Sequence, residues 1–182
     1  MKPDPNRFYV ITGGPGSGKT SIIEALRFGG YLCSTEAGRA IIQDQVTIGG
    51  TAVPWTDRSL FAELMLQWEM RSYHLAAQGA GPAFFDRGVP DIIGYLRLIG
   101  LPVPEHLQKA AAEFRYHRTV FIAPPWREIF RQDVERKQDF NEAQHTYESL
   151  QKTYAELGYN LIELPRVRIE ARVKFILDRV GP

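Results

Sequence analysis

The chain has 182 residues, 44% of them hydrophobic, enough to bury one core of ordinary size and pointing to a single domain over 1–182. Its 22 basic and 21 acidic side chains leave a formal net charge of +1, which excludes an extended nucleic-acid surface or bulk attraction to an acidic membrane, so anion selectivity must be local. One cysteine, Cys33, cannot form an intrachain disulfide, and His74, His106, His117 and His145 lack metal-ligand spacing.

Residues 1–7 are polar and broken by prolines, and no later run approaches the roughly 18 apolar residues of a membrane span, so a cytoplasmic protein in a reducing compartment is expected. The first element is a strand over 8–12, FYVIT, rich in β-branched and aromatic residues. Residues 13–20 follow as GGPGSGKT and lead into a helical pattern over 18–27. This satisfies G-x-x-x-x-G-K-[ST] between a strand and a helix, the setting a phosphate-binding P-loop requires. Glycines let consecutive N–H groups turn inward around a polyphosphate, and the helix aims the positive end of its dipole at the same point. Gly13, Gly14, Pro15, Gly16, Ser17, Gly18, Lys19, Thr20 and Ser21 are the expected contacts to ATP or GTP. Lys19 is placed to reach the terminal phosphates, and the Thr20 hydroxyl to ligate Mg²⁺.

A second strand is expected over 31–35 and a helix over 36–46. Glu36 then stands at the strand end with Arg39 one helical turn on. Facing a bound acceptor, Glu36 would accept the proton of a hydroxyl nucleophile while Arg39 holds an anionic group; a local Glu36–Arg39 ion pair at a helix start is the alternative. Residues 47–55, TIGGTAVPW, lack periodicity and read as a mobile or substrate-covering segment. A long helix follows over 57–78, with Leu60, Phe61, Leu64, Trp68 and Leu75 as its apolar stripe.

The third strand, 83–86, ends in Asp86, which at the carboxyl edge of a sheet would hold Mg²⁺ through water, or else would cap the next helix. Arg87 follows directly and would bind phosphate on an acceptor or nucleotide by a bidentate fork. Helices are predicted over 91–99 and 105–114, separated by the proline-broken segment 100–105, and a fourth strand over 119–123. A helix over 127–137 would carry Arg127, Arg131, Arg136 and Lys137; Arg131 and Arg136 are the candidates to close on a transferring phosphoryl group, a solvated charged face being the alternative. A helix over 142–157, a strand over 160–164 and a helix over 168–180 complete the chain. The alternation implies a parallel sheet in a three-layer α/β/α sandwich. Trp68 and Cys33 read as packing residues, while Trp55 and Trp126 fall in loops where a ring could stack on a base.

Together GGPGSGKT, TEAGRAII, FFDRGVPDIIGYL, the arginine-bearing segment and TYAELGYNLIELP resemble the NadR-type AAA-domain family of small P-loop ATPases, which are similar to nucleoside and nucleotide kinases. The resemblance spans nearly the whole chain. It implies a five-stranded parallel sheet of order 2-3-1-4-5, a nucleoside triphosphate at the loop, Asp86 as the Mg²⁺-linked acid and a lid near 125–140. Glu36 takes the place of the acid that serves as base in nucleoside kinases, although EAGR departs from their EP pairing. Two activities fit these residues. One is a Mg²⁺-dependent kinase acting from ATP on a small-molecule acceptor; the other is a regulatory ATPase or GTPase whose nucleotide state a partner reads. A walled acceptor pocket containing a base separates the first from the second.

Overall fold

The computed structural model describes residues 3–130 and 139–181. Five strands, β1 (Phe8–Gly13), β2 (Leu32–Cys33), β3 (Ala83–Asp86), β4 (Thr119–Ala123) and β5 (Asn160–Glu163), form one parallel sheet in the order β2-β3-β1-β4-β5. The helices between them are α1 (Lys19–Phe28), α2 (Ala37–Ile48), α3 (Arg58–Gln78), α4 (Val89–Leu98), α5 (Glu105–Glu113), α6 (Phe140–Glu156) and α7 (Ile169–Val180).

The layers follow from the two-residue period of β1. Phe8 and Val10 face a core shared with Phe85, Val120 and Ile122 of the sheet and with α3, α4, α5 and α6. Tyr9 and Ile11 face the opposite side, where Phe84 and Phe121 meet Ile22 and Leu26 of α1 and Ile176 of α7. A smaller cluster, Ala37, Ile41, Ile42 and Phe61, holds α2 on α3. Among the described residues no helix is long and apolar enough to cross a membrane.

Several elements differ from the sequence expectation. β2 is two residues long, although the Ser34 N–H still donates to the Phe84 carbonyl (2.9 Å), and both edge strands are only partly covered because each has a single neighbour. The inner strands β1, β3 and β4 are the ones enclosed on both faces. On α3 the buried line is Phe61, Ala62, Leu66, Glu69, Tyr73 and Ala76, while Leu60 and Leu75 are exposed. The sheet sets that line: Tyr73 packs edge-on to Phe8 at 4.8 Å, which turns Leu75 outward. After β4, residues 127–129 form a turn in which the Ile129 and Phe130 N–H groups donate to the Trp126 carbonyl (3.3 and 3.0 Å), following Pro124 and Pro125, which disfavour helical backbone just before it; residues 131–137 of the predicted helix lie outside the described residues.

Candidate functional site

β1 delivers the glycine-rich loop at the carboxyl edge of the sheet. Gly13 has φ +135°, and a Cβ there would lie 2.4 Å from the Ala123 carbonyl oxygen of β4, so only glycine permits this approach. Gly18 caps α1 with φ +81° and turns the chain into the helix that begins at Lys19. Lys19 is buried and folds back over the loop, its Nζ donating to the Gly14 carbonyl (2.7 Å) and to Ser17 Oγ (3.3 Å), while Ser17 Oγ donates to Gly14 O (2.8 Å). Thr20 and Ser21 lie exposed in the first turn of α1.

The loop is braced by residues the sequence did not single out. Arg172 of α7, 1% exposed, donates from Nη1 to the Ser17 carbonyl (3.0 Å), and its guanidinium lies 5.9 Å from the Trp126 ring. Burial pulls its pKa down, the cost of keeping a cation against the loop. A Cβ on Gly16 would meet Phe130 at 2.5 Å and one on Gly18 would meet Ile129 at 3.1 Å, so residues 129 and 130, within the predicted lid, rest on the loop. Arg131 and Arg136 lie outside the described residues.

Asp86, 3% exposed, ends β3 beside Ile11 of β1, and its N–H donates to Ser34 Oγ (2.9 Å). Arg87 then adopts φ +74°, a strained backbone for a residue with a Cβ, held by its N–H bond to the Ile11 carbonyl (3.1 Å). That turn points its guanidinium between two acids: Nε to Glu36 Oε1 at 3.3 Å and Nη1 to Asp91 Oδ1 at 3.1 Å. Burial by itself would lower the Arg87 pKa, but Asp91, Glu36 and Asp86 outweigh it and raise it. Glu36 stands at the N-terminus of α2 as expected, joined to Arg87, which is 51 residues away, and Arg39 lies one turn further along.

Asp91, at the third position of α4, gathers this network. It accepts from Thr12 Oγ1 and Arg87 Nη1 on one oxygen, and from the Gly88 N–H (3.0 Å) and Tyr154 hydroxyl on the other. A cavity of about 570 Å³ opens beside it, reaching from Pro15 of the loop past Glu36, Arg87 and Asp91 to α3, α4 and α6. Pro54, Trp55 and Arg58 reach the same cavity from segment 47–55 and the start of α3. That segment is tied down: Gly50 and Ala52 N–H groups bond to Gln45 (2.8 and 3.1 Å), and the Asp57 N–H to the Thr51 and Val53 carbonyls.

Two further polar groups line the cavity. Glu69 of α3 is 2% exposed, its Oε2 has no hydrogen-bond partner among the described residues, and burial first, then Asp91 and Asp86, push its pKa well up. The Tyr95 hydroxyl of α4 is likewise buried without a hydrogen-bond partner among the described residues. None of Asp91, Glu69, Tyr95 and Arg172 was singled out as a site residue from the sequence. Cys33 packs among apolar groups, and burial pushes its thiol up to about 11, which keeps it unreactive.

Comparison with known proteins agrees with this geometry. Residues 8–172 match a family described as AAA domain. No curated protein matches the chain in sequence. Among solved structures the chain is similar to NadR protein in complex with NR (16% identity, TM-score 0.71), covering 98% of this chain and 52% of that one. It is similar also to thymidylate kinase from Ehrlichia chaffeensis (13%, 0.61; 97% and 99% covered) and to deoxyadenosine kinase from M.mycoides with bound dATP (13%, 0.55; 96% and 98%). The chain thus spans about half the length of the NadR structures it matches. With the glycine-rich loop, the 2-3-1-4-5 sheet and a match that runs from Phe8 to Arg172, the chain belongs to the AAA-domain family of P-loop proteins, in the kinase-like fold it shares with NadR.

Proposed function

We propose that this protein is a Mg²⁺-dependent kinase that transfers the terminal phosphoryl group of ATP, or of GTP, to a hydroxyl of a small molecule held in the cavity beside the loop. The observation that carries this reading is the cavity itself: it is walled by α2, α3, α4 and α6, runs up to Pro15 of the loop, and has the Glu36 carboxylate in its wall. A switch ATPase needs no such chamber. Neighbours of the same fold with dATP bound, and with AMP-PNP bound, support nucleotide binding by this chain.

In this reading the amides of residues 13–20 and the Lys19 ammonium hold the phosphates, and Lys19 exchanges its bond to the Gly14 carbonyl for phosphate oxygens. The Thr20 hydroxyl and Asp86 carboxylate are hard oxygen donors at one edge of the sheet and suit Mg²⁺, which when bound neutralises charge on the phosphates. Glu36 takes the proton from the attacking hydroxyl. Arg87 orients Glu36 through the 3.3 Å contact. Arg39 assists in holding the acceptor, and Arg131 and Arg136 of the lid close on the transferring group.

The test is labelled-phosphate transfer from ATP to a panel of nucleosides, nucleotides, sugars and lipids. Transfer to an acceptor that drops by roughly 10²-fold or more in Glu36→Gln, with ATP affinity intact, is the expected result. Slow phosphate release that no acceptor alters would move the protein to the switch class.

A further inference from the structure

Glu69 sits mid-helix on α3 between the core residues Leu66 and Tyr73, a place where an apolar side chain would pack at no cost. Instead it brings a carboxyl 98% removed from solvent into the cavity wall, with Oε2 meeting no hydrogen-bond partner among the described residues. Tyr95 repeats the pattern from α4: its ring packs edge-on to Phe61 at 5.8 Å, and it lines the same wall with a hydroxyl that has no hydrogen-bond partner among the described residues. Unbonded buried polar atoms destabilise a fold, and two in one cavity mark a surface completed by a ligand.

The charges around them restrict that ligand. The described acids of the buried wall are Glu36, Glu69 and Asp91; the buried cation is Arg87, already bonded to both Glu36 and Asp91. Arg58 is exposed and donates from Nε to the Pro54 carbonyl at 3.0 Å. A phosphate brought into this wall would meet the Glu36 and Asp91 carboxylates, while Arg87, the buried cation described there, is already bonded to both; an N–H or O–H donor would instead give Glu69 Oε2 the bond it lacks.

We infer that Glu69 and Tyr95 recognise the acceptor, hydrogen-bonding a polar, donor-bearing edge of a molecule without negative charge, so that the group phosphorylated is a hydroxyl and an acceptor already carrying phosphate is excluded. This rests on the kinase reading given above. It adds the residues that select the acceptor and the charge class they select.

The experiment compares the full chain with Glu69→Met, Glu69→Gln and Tyr95→Phe. Without ligands, Glu69→Met and Tyr95→Phe should melt at or above the wild-type temperature, since Glu69 Oε2 and the Tyr95 hydroxyl meet no hydrogen-bond partner among the described residues; a fall of more than about 5 °C would assign these side chains a structural role and overturn the inference. Transfer from ATP is then measured to adenosine, guanosine, cytidine and thymidine, and to their 5′-monophosphates. The expected pattern is transfer to at least one nucleoside and to none of the monophosphates. Glu69→Met and Tyr95→Phe should raise the acceptor KM roughly tenfold or more and leave the ATP KM unchanged, while Glu69→Gln, which keeps a carbonyl oxygen, retains transfer. Wild-type transfer to the monophosphates, or an acceptor KM unchanged in both variants, would overturn the inference alone. Transfer to none of these compounds, nor to the sugars and lipids of the wider panel, would overturn the kinase reading and the inference with it.

Discussion

At the level of single residues, Asp91 organises the site more than its position in the sequence indicates. Its two oxygens accept from β1, from the turn after β3, from the start of α4 and from α6, so its removal would leave the buried Arg87 guanidinium half unpaired and three other donors unsatisfied. Asp91→Ala should therefore cost roughly 3–5 kcal/mol in urea unfolding, and a midpoint unchanged from wild type would contradict that role. What could be read from the chain divides along the same line. Lys19 and the glycines were legible because their partners lie within a few residues, Gly14 and Ser17 for the lysine. The bonds of Asp91 to Thr12 and Tyr154 cross 79 and 63 residues, and an isolated acid near a helix start looks like any solvated cap until the sheet order places those residues beside it. Glu69 was hidden for a further reason: an acid within an amphipathic pattern marks the polar face, and here it faces inward because a cavity lies there.

At the level of elements, the strand-to-helix turn after β1 depends on how closely β1 lies against β4. A Cβ on Gly13 would collide with the Ala123 carbonyl at 2.4 Å, and the φ of +135° is closed to alanine. Gly13→Ala should disrupt the β1–β4 edge at the loop, lowering stability by about 3 kcal/mol or more and abolishing nucleotide binding; near-normal melting with normal binding would show that the loop does not need this approach. α1, α2 and α3 were legible from helical periodicity, and in the structure Asp57 accepts from the Leu60 N–H at 2.9 Å as the N-cap of α3. β2 was predicted too long because the edge of a sheet offers pairing on one side only, which local β propensity does not reveal. The role of α7 was likewise invisible in sequence. Arg172 follows Glu170 and reads as a surface charge, yet the sheet order brings α7 against α1 and carries its guanidinium onto the Ser17 carbonyl.

At the level of the whole molecule, the three layers bring the loop, the acids at the ends of β2 and β3 and the cavity to one edge of the sheet, where ligands of open parallel sheets bind. The same enclosure gives stability a pH dependence. The pKa of Glu69 is raised in the folded state, by burial and by Asp91, Asp86 and Glu36 against the opposing pull of Arg87. Its contribution is thus fully present below the ordinary carboxylate range and is lost as pH rises from about 4.5 through the folded value. The stability of Glu69→Gln relative to wild type should therefore grow between pH 4.5 and 8 in paired melts, and a constant difference across that range would show that Glu69 is ionised in the folded protein. The fold class was readable at this scale because strand-helix alternation implies a parallel sheet between helical layers, whereas the strand order came from the family resemblance. The cavity was not, since its walls come from helices far apart in the chain.

Whether the loop formed by residues 13–20 holds a triphosphate is measured most directly by calorimetric titration of ATP with Mg²⁺ into wild type and Lys19→Ala. A saturable heat with one nucleotide per chain, weakened by roughly tenfold or more in Lys19→Ala, is the expected result. No heat from wild type with either ATP or GTP, or the same affinity in both proteins, would contradict it.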